Sequence, residues 1–524
     1  MGNLPSAFSS KRGTTAASAL IAFFVLRTVL RRGSAVRKIA GPPSPSWIFG
    51  NMLQLLIPYQ YGDHEFGWQK IYGALYRIKG CFGEDRLIIS DPVALQFIVT
   101  NLHKFEHSPM LTHFLGLVYD KKSIVSVRGD EHRRLRAAFN PGFSAAGVRG
   151  YQVVMQSAAE EIARSLDSAS TESVDLCRLL STATLSAISE AVLGCKTEDL
   201  GAEFVEIITR MVMLASVMDK GTIVGGVVAN RLPTWVLRLA TLIPTPALNE
   251  LRKGLLLAKQ IGRRLVQEKL TEARQGLEAH KDVFSQILNA DQSDKTLTEE
   301  ELEAQTSLMI IAGQETTANT LAFGLTELAR NIEFQDALRR EIHASHGGGD
   351  VAYNNMPLLN AFIKELLRLY PVLAMEERMV AEDTVIPLMD SITTSTGERL
   401  SEVPVRKGQI IFLGIAAYQR LESIWGADAA EFKPSRWIEE ANSQSHGPAI
   451  GPYANLLAFF SGARTCLGWR FAILEMQVII CELVGKFSFG LPEGEVARMN
   501  GASVVQPIIS DGKKAAPLRV TRIV

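Results

Sequence analysis

Cys466 stands in the run Phe459-Phe460-Ser461-Gly462-Ala463-Arg464-Thr465-Cys466-Leu467-Gly468, just ahead of an apolar, helix-periodic stretch from Trp469 to Leu483. A thiol before a helix N-terminus meets free backbone N–H groups and the positive end of the helix dipole, and an arginine two residues upstream adds a fixed charge. Such surroundings favour a thiolate, which binds soft or redox-active metals. Gly462 and Gly468 let the backbone turn tightly around the sulfur, and Phe459 offers an aromatic face to one side of a flat ligand. Read alone, the segment also describes a buried, inert cysteine beside a helix.

Other stretches carry polar groups where a helix should be apolar. Ile310-Ile311-Ala312-Gly313-Gln314-Glu315-Thr316-Thr317 puts a glycine, a glutamate and two threonines in the centre of a helix-periodic run, at a cost in propensity and desolvation. Glu365-Leu366-Leu367-Arg368 is an i,i+3 charge pair, a spacing equally common on solvated helix faces. In Gly129-Asp130-Glu131-His132-Arg133-Arg134-Leu135-Arg136, His132 and Arg136 lie one turn apart. The pairs His103/His107 and His343/His346 have metal-like spacing without a further ligand and read as surface residues.

The pattern F-x-x-G-x-R-x-C-x-G, filled by Phe459, Gly462, Arg464, Cys466 and Gly468, resembles the haem-binding loop of the haem-thiolate monooxygenases, the cytochrome P450 superfamily. Ala312-Gly313-Gln314-Glu315-Thr316 resembles that family's oxygen-activating helix segment. Glu365 and Arg368 match its E-x-x-R helix, and Arg436 in Phe432-Lys433-Pro434-Ser435-Arg436-Trp437 matches the arginine that completes the ion-pair cluster. The segments follow the family's chain order from Trp47 to Val524.

The resemblance implies haem b with Cys466 as axial thiolate, Thr316 holding dioxygen and a water, Glu315 relaying protons, and Gly313 leaving room beside Ala312 for the haem face. It implies propionate partners at Arg464, His132, Arg136 and Arg378, although His132 stands where the family usually has tryptophan. It further implies electrons from an NADPH-dependent flavoprotein reductase, with cytochrome b5 as an additional donor, because the chain shows no flavin or nicotinamide fingerprint of its own. Arg464 and Arg470 are its expected docking cations. Family-aligned pocket walls at 105–127, 211–227, 309–316 and 373–375 are apolar, which suits a lipophilic substrate such as a terpenoid. A haem-thiolate isomerase or dehydratase that takes no external electrons, and a non-catalytic haem-binding protein, remain alternatives. The Glu315-Thr316 pair favours oxygen activation over both.

The elements that must position these residues are mostly helical. Periodicity gives helices over 151–166, 174–193, 202–218, 248–273 and 335–345, with short strands at 75–78, 87–90, 409–413 and 518–524. A capping box, Thr298-x-x-Glu301, opens one long helix that need not break before about Asn331. The expected fold is therefore mainly α with a small β portion, a single large helical domain of cytochrome P450 type over 47–524.

Composition agrees with one large core. The chain has 524 residues, 47% hydrophobic and 21% charged, and 55 Lys+Arg balance 55 Asp+Glu, which removes the positive field that nucleic-acid binding needs. Five scattered cysteines without a C-x-x-C pair give neither a disulfide framework nor a zinc site. Residues 1–40 read as a membrane anchor and its basic flank. The apolar stretch 14–30 is followed by Arg31, Arg32, Arg37 and Lys38, which orients a single-pass anchor in the endoplasmic reticulum with the following domain in the cytosol. Gly41-Pro42-Pro43-Ser44-Pro45, within 41–46, reads as a stiff hinge.

Overall fold

The polar-centred run around Gly313 becomes the spine of the molecule. In the computed structural model, which describes residues 35–168, 173–216, 218–275, 281–289, 297–345, 352–439, 449–501 and 504–523, this spine is the helix Thr306–Arg330. It is buried on nearly every side and packs against Leu176–Ile188, Pro246–Arg274, Pro357–Leu369 and Trp469–Lys486. The expected anchor at 14–30 lies outside the described residues.

The Thr298–Glu301 capping box forms as expected, yet the helix it opens, Glu299–Glu303, is short. The chain breaks at Ala304-Gln305 before Thr306–Arg330 starts, so the single long helix expected from Thr298 is two. The break has a tertiary cause. Gln305 is fully buried, its Nε2 donates to Lys122 O and Glu301 O, and its Oε1 accepts from Ile124 N at 2.9 Å. The other helices follow the periodicity: Gln152–Asp167, Ala202–Ser216, Pro246–Arg274 and Ile332–Ser345. Leu176–Ile188 continues into a π-helical turn, Ser189–Leu193, closed by left-handed Gly194 at φ 68°. The stretch 176–193 is long and apolar enough to cross a bilayer, but 67% of it is buried inside the body, as a core helix would be.

Among the described residues the β portion is a five-stranded sheet and three smaller sheets. Leu75–Lys79 and Asp85–Ile89 form a hairpin, Asp85–Ile89 runs parallel to Ile410–Gly414, and Met375–Val380 pairs antiparallel with Ile410–Gly414 before Phe105–Glu106 closes the edge. Met375–Val380 shows no strand periodicity in the sequence, although the resemblance places Arg378 on a strand, as the structure does. The hairpin Thr384–Thr393/Arg399–Val405 is absent from the sequence reading, because its mixed polarity hides the period-2 signal.

Residues 35–40, read above as the basic flank of an anchor, are part of this packed body. Val36 and Ile39 are buried in the sheet-side core, Ile39 O accepts from Arg77 Nε and Ala40 O from Arg77 N, and Arg37 pairs with Asp85 at 3.3 Å.

Candidate active site

The loop before Trp469–Lys486 is shaped by two residues in the left-handed region. Phe460 has φ 55°, an uncommon conformation for a bulky side chain, and Gly462 has φ 65° with its backbone so close to the helix Pro92–Thr100 that a Cβ would lie 2.4 Å from Val99 O. The loop closes on itself where Cys466 N donates to Phe459 O at 2.8 Å.

Cys466 differs from the other four cysteines. Cys81, Cys177, Cys195 and Cys481 are buried, whereas Cys466 has an open surface although it lies deep within the protein. That depth pushes its thiol pKa up. The Gly468 amide, donating to the sulfur, and the Arg136 charge pull the other way without winning. The positive surroundings expected to favour a thiolate are thus present, but burial outweighs them until a cation binds the sulfur.

One face of the central helix is also open. Leu308, Ala312 and Thr316, spaced by four, and Gly313 are the residues of its interior that are not buried, and together they make a stripe along one side. Thr316 Oγ1 donates back to Ala312 O at 2.7 Å, the local bond that a threonine hydroxyl readily makes within its own helix.

Gly313 has a packing reason to be small beside the one the resemblance implies. A Cβ there would sit 2.5 Å from Ile188 Cγ1 and 2.8 Å from its Cδ1. The missing side chain thus admits the neighbouring helix, and Ala312 and Thr316 shape the open face. Glu315 points away from that face. Its Oε1 accepts from Ser181 Oγ at 2.9 Å and its Oε2 is paired with Lys514, a partner with no motif signal in the sequence.

The expected propionate partners gather in one place. Arg464 donates to Ile124 O at 2.9 Å and to Val127 O at 2.5 Å, and burial, then Arg128 and Arg136, hold its pKa down to about 10. Arg378 is pushed down to about 9 by burial and then by Arg464. It has one carboxylate, Glu376, at 3.1 Å, while its Nε has no partner and its guanidinium lies 5.3 Å from the Phe460 ring. His132, buried beside Arg464 and Arg136, is pushed down to about 4, chiefly by burial, and is neutral at pH 7. Arg136 donates to Thr465 O on the cysteine loop. Arg470 instead lies on the exposed side, stacked 4.1 Å from the Trp469 ring.

These cations crowd a buried space with too little negative charge, an arrangement that costs free energy unless anions complete it. Two carboxylates of a bound group would supply that charge, and the open sulfur of Cys466 would supply an axial ligand. The residues present therefore fit haem, with Cys466 on the metal and Arg378, Arg464, Arg136 and His132 toward the propionates.

The third constellation is structural. Arg368 and Glu365 are fully buried and doubly hydrogen-bonded, and Arg436 Nε reaches Glu365 Oε1 at 3.2 Å. Trp437 Nε1 and Lys433 N complete the carboxylate, while Arg368 also donates to the carbonyls of Gln419, Ala429 and Glu431. The solvated-face reading of E-x-x-R does not hold here.

Several other features add detail. Sequence reasoning missed Glu376, pushed up to about 7 by burial, and Glu475, pushed up to about 8. His107 lies 3.3 Å from Glu376 and His343 Nε2 contacts Gly485 O, so neither faces a metal cluster; His346 lies outside the described residues. A cleft of about 970 Å³ lined by Tyr61, Phe66, Tyr370 and Arg420 contains none of the candidate site residues.

A helical body with a minor β portion, a sulfur on a tight loop before a helix and a buried Glu-Arg-Arg cluster define a haem-thiolate protein. Comparison with known proteins makes this specific: residues 40–510 match the family model Cytochrome P450, and the chain belongs to that family. It is 30% identical to cytochrome P450 monooxygenase 91 of Postia placenta over 95% of this chain and 97% of that protein. It is 28% identical to cytochrome P450 monooxygenase claU of Ampulloclitocybe clavipes, covering 96% of each, and 29% identical to a ganoderic acid synthetase of Ganoderma lucidum over 91% of this chain and 92% of that one. The chain is a monooxygenase of the oxidoreductase class, using haem with cysteine ligation, dioxygen, a small-molecule substrate and a redox partner.

Proposed function

We propose that this monooxygenase inserts one oxygen atom from dioxygen into a lipophilic terpenoid, with electrons from a membrane-bound NADPH-dependent reductase. The observation that carries the reading is the open sulfur of Cys466 beside a cation cluster short of anions. The terpenoid follows from the similarity to a ganoderic acid synthetase and from the apolar open stripe at Leu308 and Ala312.

Haem b held through Cys466 would supply dioxygen activation. The chain's own residues do the rest. Arg378, Arg464, Arg136 and His132 hold the propionates and fix the ring. Ala312 and Leu308 exclude water and present an apolar wall to the substrate. Thr316 offers a hydroxyl on the open face to hold and pass a proton, and Glu315, one residue earlier, is the acid that resupplies it. The cluster of Glu365, Arg368 and Arg436 keeps the helix and loop in register.

The catalytic domain on this reading is 47–524 together with the packed residues 35–40, held on the cytosolic side of the endoplasmic reticulum by an anchor in 1–34. Incubation of the membrane-bound holoenzyme with a purified flavoprotein reductase, NADPH and a panel of terpenoids tests the reading. Reductase-dependent product carrying one labelled oxygen from ¹⁸O₂ is expected; product formed without NADPH would instead indicate the isomerase chemistry.

A further inference from the structure

The cleft of about 970 Å³ that stands apart from the candidate site is walled by the helix Glu65–Tyr72, the last turns of Thr306–Arg330, the end of Pro357–Leu369 and the strand Arg498–Asn500. Its size falls at the upper end of the roughly 300–1,000 Å³ of small-molecule pockets. Arg420, just past the short helix Ile415–Tyr418, lines its depth. The side chain lies far inside the protein yet keeps accessible surface, as Cys466 does, so that surface belongs to the cleft. The walls around it are largely aromatic. The guanidinium lies 4.5 Å from the centre of the Phe66 ring, and Phe323 and Tyr370 stack on each other at 4.8 Å with an interplanar angle of 14°.

Arg420 has no acid of its own. Nη1 donates to Ala416 O at 3.3 Å and Nη2 to Leu369 O, both carbonyls, and among the described residues no ion pair joins the guanidinium to a carboxylate. The other cations of the lining each have one: Lys70 pairs with Glu422 at 3.2 Å, Arg330 with Glu327 at 2.5 Å and Arg498 with Glu495 at 3.3 Å. The nearby acids are held by further donors. Glu65 Oε2 and Glu327 Oε1 accept from the hydroxyls of Tyr61 and Tyr370, each at 2.5 Å, and Asp91 accepts from Ala94 N and Met389 N. Asp390 is exposed at the rim. Burial draws the Arg420 pKa down to about 10, with Tyr370, Tyr61 and Glu65 recovering only part. Burial also pushes Glu65 up to about 7, so it carries only part of a charge at neutral pH. A deep cation with spare donors and no paired anion is costly unless a ligand completes it.

We propose that this cleft is a second binding site, for a lipophilic monocarboxylate of the size of a long-chain fatty acid or a terpenoid acid: the unspent donors of Arg420 hold the carboxylate, and the apolar body lies between Phe66, Phe323 and Tyr370. A planar guanidinium matches a carboxylate in a two-pronged hydrogen bond. One unpaired positive charge, with the carboxylates of Glu65 and Glu327 close by, suits a single negative charge and repels a phosphate dianion. The aromatic and aliphatic walls, which include Leu421 and Met499, bury a hydrocarbon skeleton. The site binds its ligand without making or breaking a bond, and it shares no residue with the haem-binding cluster, so its occupancy leaves the surroundings of the iron unchanged.

The test uses the full-length holoenzyme and cis-parinaric acid, a fluorescent long-chain fatty acid. Saturable binding that leaves the Soret band of the haem in place is expected, with the methyl ester bound about tenfold or more weakly. R420M should weaken binding of the acid about tenfold or more, and S423W, which fills the mouth of the cleft from an exposed position, should do the same at parental haem content. Palmitic acid and abietic acid, added as competitors, separate the two sources: the stronger competitor assigns the site to a fatty acid or to a terpenoid acid. Should R420M fail to retain haem, S423W decides by itself. Parental affinity in S423W or in folded R420M, equal affinity for acid and ester, or displacement by neither competitor would overturn the proposal. A Soret shift that saturates together with the fluorescence would overturn it as well, by placing the acid in the haem pocket.

Discussion

Glu365 and Arg368 face each other across one helical turn with neither side chain exposed, joined by two 2.8 Å hydrogen bonds, Nε to Oε2 and Nη2 to Oε1. The guanidinium continues to three backbone carbonyls and lies 5.4 Å from the Trp425 ring. Every donor is committed, so the pair acts as a clamp between Pro357–Leu369 and the segment 419–437.

Removing one partner from such a clamp strands a buried charge. Glu365→Ala is expected to cost about 3–5 kcal/mol and to yield protein that fails to retain haem. Arg368→Lys should rescue little, because an ammonium cannot reproduce the bidentate fork. Chemical denaturation of the haem-free proteins checks both; a loss under about 1 kcal/mol for Glu365→Ala would remove the clamp from the account.

Arg464 separates holding haem from holding the fold. Its neighbours Arg128, Arg136 and Arg378 repel it, while its bonds to Ile124 O and Val127 O contribute about 1 kcal/mol each. These effects oppose one another, so Arg464→Met should leave the thermal midpoint of haem-free protein almost unchanged and release haem about tenfold faster to an acceptor protein. Parental haem loss would show that the cluster does not face the propionates.

Gly313 tests the close approach of the neighbouring helix. A Cβ at 2.5 Å from Ile188 Cγ1 should make Gly313→Ala cost about 1–3 kcal/mol. Ile188→Ala, which removes the obstructing atoms, should recover part of that loss when the two are combined. A double variant whose destabilisation is the sum of the singles would place the crowding elsewhere.

Much of the site was legible because its chemistry concentrates residues locally. The cysteine loop and the Glu365-Arg368 turn are each short runs in which residue type and spacing carry the signal. What was missed depends on distant partners. The break before Thr306 exists because Gln305 bonds to residues 122 and 124, and Gly313 is small because Ile188 arrives from another helix. Lys514 finds Glu315 only through the pairing of Pro517–Arg522 with Ser173–Asp175. Nothing in the local sequence around any of these positions encodes the partner.

Glu475 gives a pH dependence whose sign follows from burial. It is fully buried, neither oxygen finds a hydrogen bond of good geometry, and desolvation raises its pKa from 4.5 to about 8, with the Thr317 hydroxyl offsetting only part. The folded chain therefore keeps a proton that the unfolded chain releases. This group's contribution to stability is complete below pH 4.5 and falls by about 1.4 kcal/mol per pH unit up to about pH 8. Glu475→Gln should abolish that slope. His132, pushed down to about 4, works in the opposite direction between pH 4 and 6.5, so the difference between variant and parent isolates Glu475. Equal slopes for both proteins would refute the neutral assignment.

The most direct test is the absorption spectrum of the reduced, carbon monoxide-bound holoprotein. The parent, and variants with serine at Cys81, Cys177, Cys195 or Cys481, should show the band of a thiolate-ligated haem, and Cys466→Ser should lose it. Survival of that band in Cys466→Ser, or an imidazole-type spectrum in the parent, would contradict the assignment of the axial ligand on which the account depends.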